Sequence, residues 1–164
     1  RRIAPLIEEV LEEIEPQASR KRLALRSELA ECGARVNIDG LRIGQVLRNL
    51  LNNALRFSSS PGEIVIVGRV VEGAMLQITV RDSGVGIPPD ELESIFAKFV
   101  QSSRTHSGAG GTGLGLAICR EIVAAHGGRI WAENNAYGGA SLHFTLPLAN
   151  APATDEELET CEAM

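Results

Sequence analysis

The first candidate for chemistry is the stretch 42–57, RIGQVLRNLLNNALRF, whose apolar spacing predicts an amphipathic helix. Asn49, Asn53 and Arg56 fall on one narrow face, opposite the aliphatic side chains. Asparagine is a mediocre helix former. The polar face is therefore either a solvated surface or a site in which Asn53 supplies an oxygen ligand to a hard cation and Arg56 supplies charge to a polyphosphate. Mg²⁺ prefers oxygen ligands and completes its shell with water and substrate phosphates.

The second candidate is the segment 82–87, DSGVGI, which directly follows a predicted strand. The Asp82 carboxylate can accept a hydrogen bond from the exocyclic amine of adenine. Gly84 and Gly86 allow the backbone to approach a flat ligand closely. Taken alone, the segment fits an ordinary Asx turn that leaves a strand better than a binding loop.

The third candidate is the glycine-rich run 108–116, GAGGTGLGL, which leads into a predicted helix. Backbone N–H groups at such a helix start can bind an anion. The run is not a P-loop, because it lacks the Gly-Lys-Ser/Thr sequence and no strand precedes it. Without further context it is either a phosphate-binding lid or a flexible turn.

Local sequence patterns predict the elements that position these segments. Asp39 is expected to cap the second helix, and Gly127 with Gly128 should end the third. Helices are predicted over 3–18, 40–57 and 113–126, a short helix over 90–96, and strands over 22–29, 35–39, 63–71, 75–82, 129–133 and 141–146. This order predicts an α+β fold, a two-layer α/β sandwich with a mixed, mostly antiparallel sheet of about five strands and about three helices on one face.

Length and composition exclude several classes of protein. The 164 residues, 44% of them hydrophobic, fit one globular domain. No apolar run reaches the length of a membrane helix, and three cysteines make a disulfide framework improbable. The net charge of −5 argues against nucleic-acid binding. We expect a cytoplasmic domain with no direct membrane contact, followed by an acidic, disordered tail or linker over 149–164.

Together the segments resemble the catalytic ATP-binding domain of a bacterial two-component sensor histidine kinase, a member of the Bergerat-fold superfamily. Residues 49–54 (NLLNNA) match the N box of that family, and 82–87 match its G1 box. Residues 96–99 (FAKF) match the F box, and 111–116 (GTGLGL) match the G2 box. The resemblance extends over residues 1–148 and makes ATP and Mg²⁺ the expected cofactors.

The resemblance implies roles for residues near the metal and the phosphates. Asn53 would coordinate Mg²⁺, with Asn49 beside it as a catalytic residue. Arg56 occupies the place of a basic residue that contacts phosphates. Lys98 and Arg104 would be lid cations that reach the γ-phosphate. The family also implies nucleotide contacts from the lid and the helix start that follows it, at Gly111, Thr112, Gly113, Leu114 and Gly115.

A second set of roles concerns the base. Asp82 would bind the adenine amine, and Gly84, Gly86 and Ile87 would shape the pocket around it. Phe57 stands where an aromatic side chain often covers the adenine. The chain departs from the family after Gly139 in the last strand motif, where a Thr is frequent but Ala140 and Ser141 follow here.

The residue at position 49 separates the subfamilies. Hydrolytic relatives typically carry a Glu there to activate water, whereas the Asn49 amide cannot accept a proton at neutral pH. A histidine kinase is therefore the leading interpretation, with transfer of the ATP γ-phosphate to a histidine and onward signalling to a response regulator receiver domain. The alternatives are a Bergerat-fold ATPase, an anti-sigma-type serine kinase and a degenerate nucleotide-binding module.

None of the three histidines, at 106, 126 and 143, has the H-box setting of a phospho-acceptor. We expect His126 to be a structural residue at a helix end. The expected organisation is a helix over 1–18 that leads from a dimerisation domain bearing the acceptor histidine, and then the ATP-binding domain over 19–148. A fragment of this kind should be unable to phosphorylate itself.

Overall fold

A computed structural model describes residues 2–29, 35–71, 74–92, 94–96, 115–136 and 138–149. Within these residues the chain forms three α-helices, five strands and two short 3-10 turns. The helices are α1 (Ala4–Arg20), α2 (Gly40–Phe57) and α3 (Gly115–Ala125). The strands are β1 (Leu23–Leu29), β2 (Gly62–Val71), β3 (Met75–Arg81), β4 (Ile130–Asn134) and β5 (Ala140–Pro147), and the turns are Pro89–Glu91 and Ser94–Phe96.

The five strands form one mixed sheet in the order β1-β2-β3-β5-β4. β1 pairs in parallel with β2, whereas β2 with β3, β3 with β5 and β4 with β5 are antiparallel. The β3–β5 pairing places the end of β3 beside the start of β5, with Arg81 opposite Ser141. The loop after β3 therefore emerges next to the turn between β4 and β5.

The hydrophobic core lies between the helices and one face of the sheet. Alternate residues of the central strands point to that face, and they pack in one cluster with the buried sides of all three helices. Among the largest fully buried side chains are Ile7, Leu47, Leu50, Ile66, Ile78 and Phe144. The confirmed architecture is therefore the two-layer α/β sandwich predicted from the sequence.

The helix α2 is held at its start and along its length by polar contacts. The Asp39 carboxylate accepts hydrogen bonds from the backbone N–H groups of Leu41, at 3.0 Å, and Arg42, at 3.4 Å, which confirms the predicted N-cap. Arg48 forms two hydrogen bonds of 2.7 and 2.9 Å with the Glu13 carboxylate of α1. These contacts fix α2, which carries the candidate metal ligand, against the rest of the helical layer.

The third helix ends as its glycines predict. Gly127 has a φ of +83°, and the N–H of Gly128 donates to the carbonyl of Val123 over 3.0 Å, which closes the last turn. His126 follows the helix and joins it to α2. Its Nδ1 lies 2.7 Å from the carbonyl of Ile122, and its Nε2 accepts a hydrogen bond of 3.1 Å from the backbone N–H of Asp39. These bonds match the structural role expected for His126.

Two sequence predictions are wrong in detail. Residues 35–39 do not form a strand, because only Arg35 and Val36 are paired, through single bridges to Arg2 and Leu148. The predicted helix over 90–96 is replaced, in the described residues, by the 3-10 turns Pro89–Glu91 and Ser94–Phe96. Within the described residues, none of the helices has both the length and the hydropathy of a membrane span.

Candidate functional site

The polar face of α2 carries the proposed metal and phosphate residues. Asn49 is half-buried, and its Nδ2 donates to the carbonyl of Gly115 over 3.3 Å and to Sγ of Cys119 over 3.6 Å. Asn53, one turn further along α2, is also half-buried. The exposed Arg56 places its guanidinium carbon 5.8 Å from the centre of the Phe57 ring. The face therefore presents the Asn53 amide and a cation one turn apart.

Cys119 lies buried beneath this face. Burial raises the pKa of its thiol to about 11, although the hydrogen bond from Asn49 acts in the opposite direction. Sγ lies 3.9 Å from the carbonyl of Val46, a distance that suits a weak S–H donor. The protonated thiol thus points its hydrogen at α2 and leaves its lone pairs to the Asn49 amide.

The hydrogen bond between Asn49 and Gly115 joins the N-box helix to the start of α3. Gly115 is the last glycine of the predicted phosphate-binding run, and it is the first residue of the 11-residue helix α3. The N-terminal end of a helix carries a partial positive charge and free N–H groups. The fold therefore brings the N-terminal part of α3, as described from Gly115, against the amide face of α2.

Asp82 follows β3 and is 7% exposed. Its Oδ1 accepts two backbone hydrogen bonds, each 3.0 Å long, from the N–H groups of Gly84 and Ala140. Both of these hydrogen bonds are made by Oδ1, on the side where the loop meets the start of β5. The carboxylate is thus anchored to the backbone on both sides through one oxygen.

Two glycines of the loop 82–87 are required by close contacts. A Cβ on Gly84 would lie 1.8 Å from the carbonyl oxygen of Phe57, so the loop packs against the end of α2. Gly86 has a φ of +79°, a backbone conformation that favours glycine, and a Cβ there would lie 2.9 Å from Oδ1 of Asn134. Ile87, the last residue of the loop, is buried. The loop is consequently fixed between α2 and the β4–β5 turn.

Sequence reasoning missed two residues of this turn. Asn134 hydrogen-bonds with its side chain to both the N–H and the carbonyl of Ile87, at 2.7 Å each. Asn135 donates to the carbonyl of Asp82 over 3.2 Å and accepts from the hydroxyl of Ser141. Ser141 pairs with Arg81 on the sheet face away from the helices. Neither asparagine lies in a motif, so no local signal distinguished them from turn residues.

The residues predicted to form a lid lie outside the described part of the chain. These are Lys98, Arg104, His106, Gly111, Thr112, Gly113 and Leu114, and the tail from 150 onward lies outside it as well. Of the F box, only Phe96 is described, and it is buried in the core.

Known proteins share both the sequence and the fold. Residues 38–150 match the family described as histidine kinase-, DNA gyrase B- and HSP90-like ATPase. The adaptive-response sensory kinase SasA of Synechococcus sp. (strain JA-2-3B'a(2-13)) is 40% identical over 143 residues, which are 87% of this chain and 38% of that protein. The catalytic domain of the histidine kinase ThkA superposes with a TM-score of 0.79 at 34% identity, covering 89% of this chain and 94% of that domain.

Two larger solved structures match as well. Full-length ShkA in complex with AMPPNP has a TM-score of 0.79 at 29% identity, over 93% of this chain and 31% of that one. ThkA in complex with the response regulator protein TrrA has a TM-score of 0.77 at 31% identity, over 91% of this chain and 41% of the matched chain.

The fold and the matched sequence agree, and the chain belongs to the histidine kinase-, DNA gyrase B- and HSP90-like ATPase family. Within that family it is a catalytic domain of the sensor histidine kinase type. It spans about two fifths of the length of the SasA relative.

Proposed function

We propose that the chain binds Mg²⁺ and ATP and transfers the γ-phosphate to a histidine on a dimerisation domain of the same parent protein. The acceptor imidazole nitrogen attacks the γ-phosphorus, the bond to the β–γ bridging oxygen breaks, and ADP leaves. The phosphate then passes to an aspartate of a response regulator receiver domain. The response regulator in the ThkA complex and the AMPPNP in the ShkA complex support this assignment by similarity.

The observation that carries the proposal is the asymmetric carboxylate of Asp82. Two backbone N–H groups hold Oδ1, and in this proposal Oδ2 accepts from the base. An ionised carboxylate oxygen accepts and cannot donate, so it suits the exocyclic amine of adenine and rejects the carbonyl that guanine carries at the same position. In this proposal Gly84, Gly86 and Ile87 shape the wall beside the base, and Phe57 covers it.

The side chains of α2 fit a metal that arrives with the nucleotide. Asn53 offers a neutral amide oxygen, a ligand type that Mg²⁺ accepts. In the described residues no three His, Cys, Asp or Glu side chains cluster as a preformed cage. This suits Mg²⁺, which keeps several waters and takes further ligands from substrate phosphates. When held by Asn53, Mg²⁺ would supply positive charge that offsets the negative charge of the triphosphate.

In this proposal the chain's own side chains and backbone also contact the phosphates. Arg56, one turn after Asn53, contacts the phosphates, and the start of α3 at Gly115 offers its partial positive charge. We assign Lys98 and Arg104 to the γ-phosphate, and Gly111, Thr112, Gly113 and Leu114 to the lid over it. These groups position the triphosphate and stabilise the charge that moves toward the leaving oxygen.

Asn49 favours transfer over hydrolysis. A general base must take a proton from water, and a carboxamide cannot do so at neutral pH. Its N–H group is committed to Gly115 and Cys119. A neutral imidazole already has a nucleophilic lone pair, so a phosphotransfer site needs no base at this position. We therefore propose that Asn49 orients groups around the triphosphate and does not activate water.

We further propose that α1 leads from the dimerisation domain into the ATP-binding domain over 19–148, and that 149–164 is a linker or tail. The helix packs through Leu6, Ile7, Val10 and Ile14 against the core of the ATP-binding domain. This packing would transmit the position of the preceding domain to α2.

The first test is nucleotide binding by isothermal titration calorimetry with Mg²⁺. We expect ATP to bind more tightly than GTP, and Asp82→Asn to weaken ATP and reduce that preference. An unchanged ATP/GTP ratio in Asp82→Asn contradicts the adenine contact. The second test supplies a SasA-type dimerisation domain and γ-labelled ATP. Label on its histidine supports transfer, and sustained phosphate release without an acceptor supports the ATPase alternative.

A further inference from the structure

Two consecutive asparagines, Asn134 and Asn135, hold both ends of the loop 82–87. Asn134 is the last residue of β4, and Asn135 begins the turn to β5. Each uses its side chain to bond the loop backbone, Asn134 at Ile87 and Asn135 at Asp82. These residues are 47 and 53 positions away from their partners in sequence. The contacts therefore depend on the folded sheet and not on the loop's own sequence.

The contact at Ile87 has the geometry of a strand pair. The Asn134 carboxamide accepts from the N–H of Ile87 and donates to its carbonyl, with both distances at 2.7 Å. A carboxamide presents one donor and one acceptor side by side, as a peptide group does. Gly86 leaves room for it, since a Cβ at that residue would lie 2.9 Å from Oδ1 of Asn134. An aspartate at 134 would retain the acceptor and lose the donor.

The contact at Asp82 is part of a longer chain of hydrogen bonds. The Ser141 hydroxyl donates to Oδ1 of Asn135. Nδ2 of the same asparagine donates to the carbonyl of Asp82. The backbone N–H of Asn135 donates to the carbonyl of Gly139 over 2.9 Å. A Cβ on Gly139 would lie 2.2 Å from the carbonyl oxygen of Asp82, so this turn packs directly on the loop.

We infer that Asn134 and Asn135 are positioning residues that set the adenine loop before the nucleotide arrives. Asn134 is decisive, because it supplies both bonds that fix Ile87 where the loop turns back toward the core. A loop held in its binding shape does not lose backbone freedom when the ligand binds. The inference rests on the proposed function, since it assumes that the loop 82–87 receives the base.

The consequence is a separation between binding and chemistry. Neither asparagine belongs to the groups proposed to contact the phosphates. Loosening the loop should therefore raise the KM for ATP and lower the discrimination between ATP and GTP. The kcat for transfer to a supplied dimerisation domain at saturating ATP should remain unchanged, because other groups hold the transferred phosphate. A merely structural role would instead lower thermal stability and leave the affinity of the folded protein unchanged.

The test compares Asn134→Asp and Asn134→Ala with the wild-type chain. The aspartate leaves the carbonyl of Ile87 without its donor and sets a carboxylate oxygen against it, and the alanine removes both bonds. We expect each variant to bind Mg-ATP about tenfold more weakly, with a smaller ATP/GTP ratio and faster hydrogen exchange at the N–H of Ile87. Asn37→Asp, the same substitution at an exposed residue, is the matched control.

The outcomes separate the two proposals. If the wild-type chain binds no ATP, the proposed function fails. If it binds ATP and both Asn134 variants bind it with wild-type affinity and ATP/GTP ratio, the positioning role is wrong, whatever their melting temperatures. Faster exchange at Ile87 without a change in affinity also overturns the inference, because it shows that the loop need not be preset. Circular dichroism at the titration temperature confirms that each variant is folded.

Discussion

Asn49 of α2 donates its side-chain N–H to the carbonyl of Gly115 of α3 over 3.3 Å, and the same amide reaches Sγ of Cys119 at 3.6 Å. Both acceptors lie on α3, so the amide nitrogen is turned toward that helix and Oδ1 away from it. Reversing the amide would bring Oδ1 against two acceptors. The contact thus fixes the orientation of Asn49 and joins the N-box helix to the helix that starts at the glycine-rich run.

Replacing Asn49 with Asp tests this orientation. The carboxylate cannot donate, so Gly115 and Cys119 lose their donor and face a negative charge. We expect the free energy of unfolding to fall by about 1–3 kcal/mol, which lowers the melting temperature by roughly 2–4 °C per kcal/mol. Thermal unfolding followed by circular dichroism measures the loss. Asn52→Asp at an exposed position of the same helix is the control, and an equal loss in both variants would contradict the contact.

The thiol of Cys119 should be inert in the folded protein. Burial raises its pKa to about 11, so at pH 8 about one thiol in a thousand is ionised, and the thiolate is the reactive form. In a Cys32→Ser, Cys161→Ser variant, we expect a disulfide reagent to leave Cys119 unmodified for hours and to react with one equivalent once guanidinium unfolds the chain. Rapid reaction under native conditions would show that the thiol is accessible.

Much of the fold could be predicted because its signals are local. The apolar spacing of 42–57 and the position of Asp39 predict the second helix from local sequence alone, without knowledge of the elements that pack against it. The prediction of a strand over 35–39 is wrong because strand formation depends on distant segments. A strand needs a continuous neighbour, and Arg35 and Val36 find only single-residue partners at Arg2 and Leu148. That pairing depends on where distant chain segments lie.

The site divides in the same way. Asp82 and the glycines of its loop have a recognisable spacing, and Asn53 lies on a helix face that can be drawn from the sequence. Asn134 and Asn135 have no such spacing, because their function is to bond the backbone of residues 47 and 53 positions away. Side chain to backbone bonds require no particular residue type in the partner, so they leave no paired signal in a single sequence.

Loss of the α2 cap should cost measurable stability. In Asp39→Ala, the N–H groups of Leu41 and Arg42 lose their side-chain acceptor. We expect the free energy of unfolding to fall by about 1 kcal/mol in urea denaturation. Asp39→Asn keeps an oxygen in the same place and should lie near the wild-type value. If the two variants are equally destabilised, the capping bond does not account for the loss.

Stability should also decrease in mildly acidic solution because of His143. Burial lowers the pKa of His143 below its ordinary value of 6.5, and the nearby Arg69 acts in the same direction, whereas Glu133 opposes it. As the pH falls through 6.5, the unfolded chain takes up a proton on this histidine before the folded chain does. The free energy of unfolding therefore falls with pH until the folded-state pKa is reached, and below that pH the loss stays constant. Urea midpoints between pH 8 and 5 measure the slope.

His143→Gln provides the comparison for that slope. Glutamine carries no charge at any of these pH values. The stability of the variant should therefore fall less below pH 6.5 than the stability of the wild-type chain. The remaining decrease comes from other titrating groups and is common to both proteins. Identical pH profiles for the two proteins would show that His143 titrates alike in the folded and unfolded states.

The proposed metal role of Asn53 predicts a loss that depends on Mg²⁺. In Asn53→Ala, the amide oxygen that would ligate the metal is absent, so we expect Mg-ATP affinity to fall by at least about tenfold. Affinity for ATP in EDTA should stay at the wild-type value, because the adenine contacts remain. Calorimetric titrations with Mg²⁺ and with EDTA measure both values. Asn52→Ala, on an exposed position of the same helix, controls for the helix itself. Equal weakening of Asn53→Ala under the two conditions would place Asn53 at the phosphates and not at the metal.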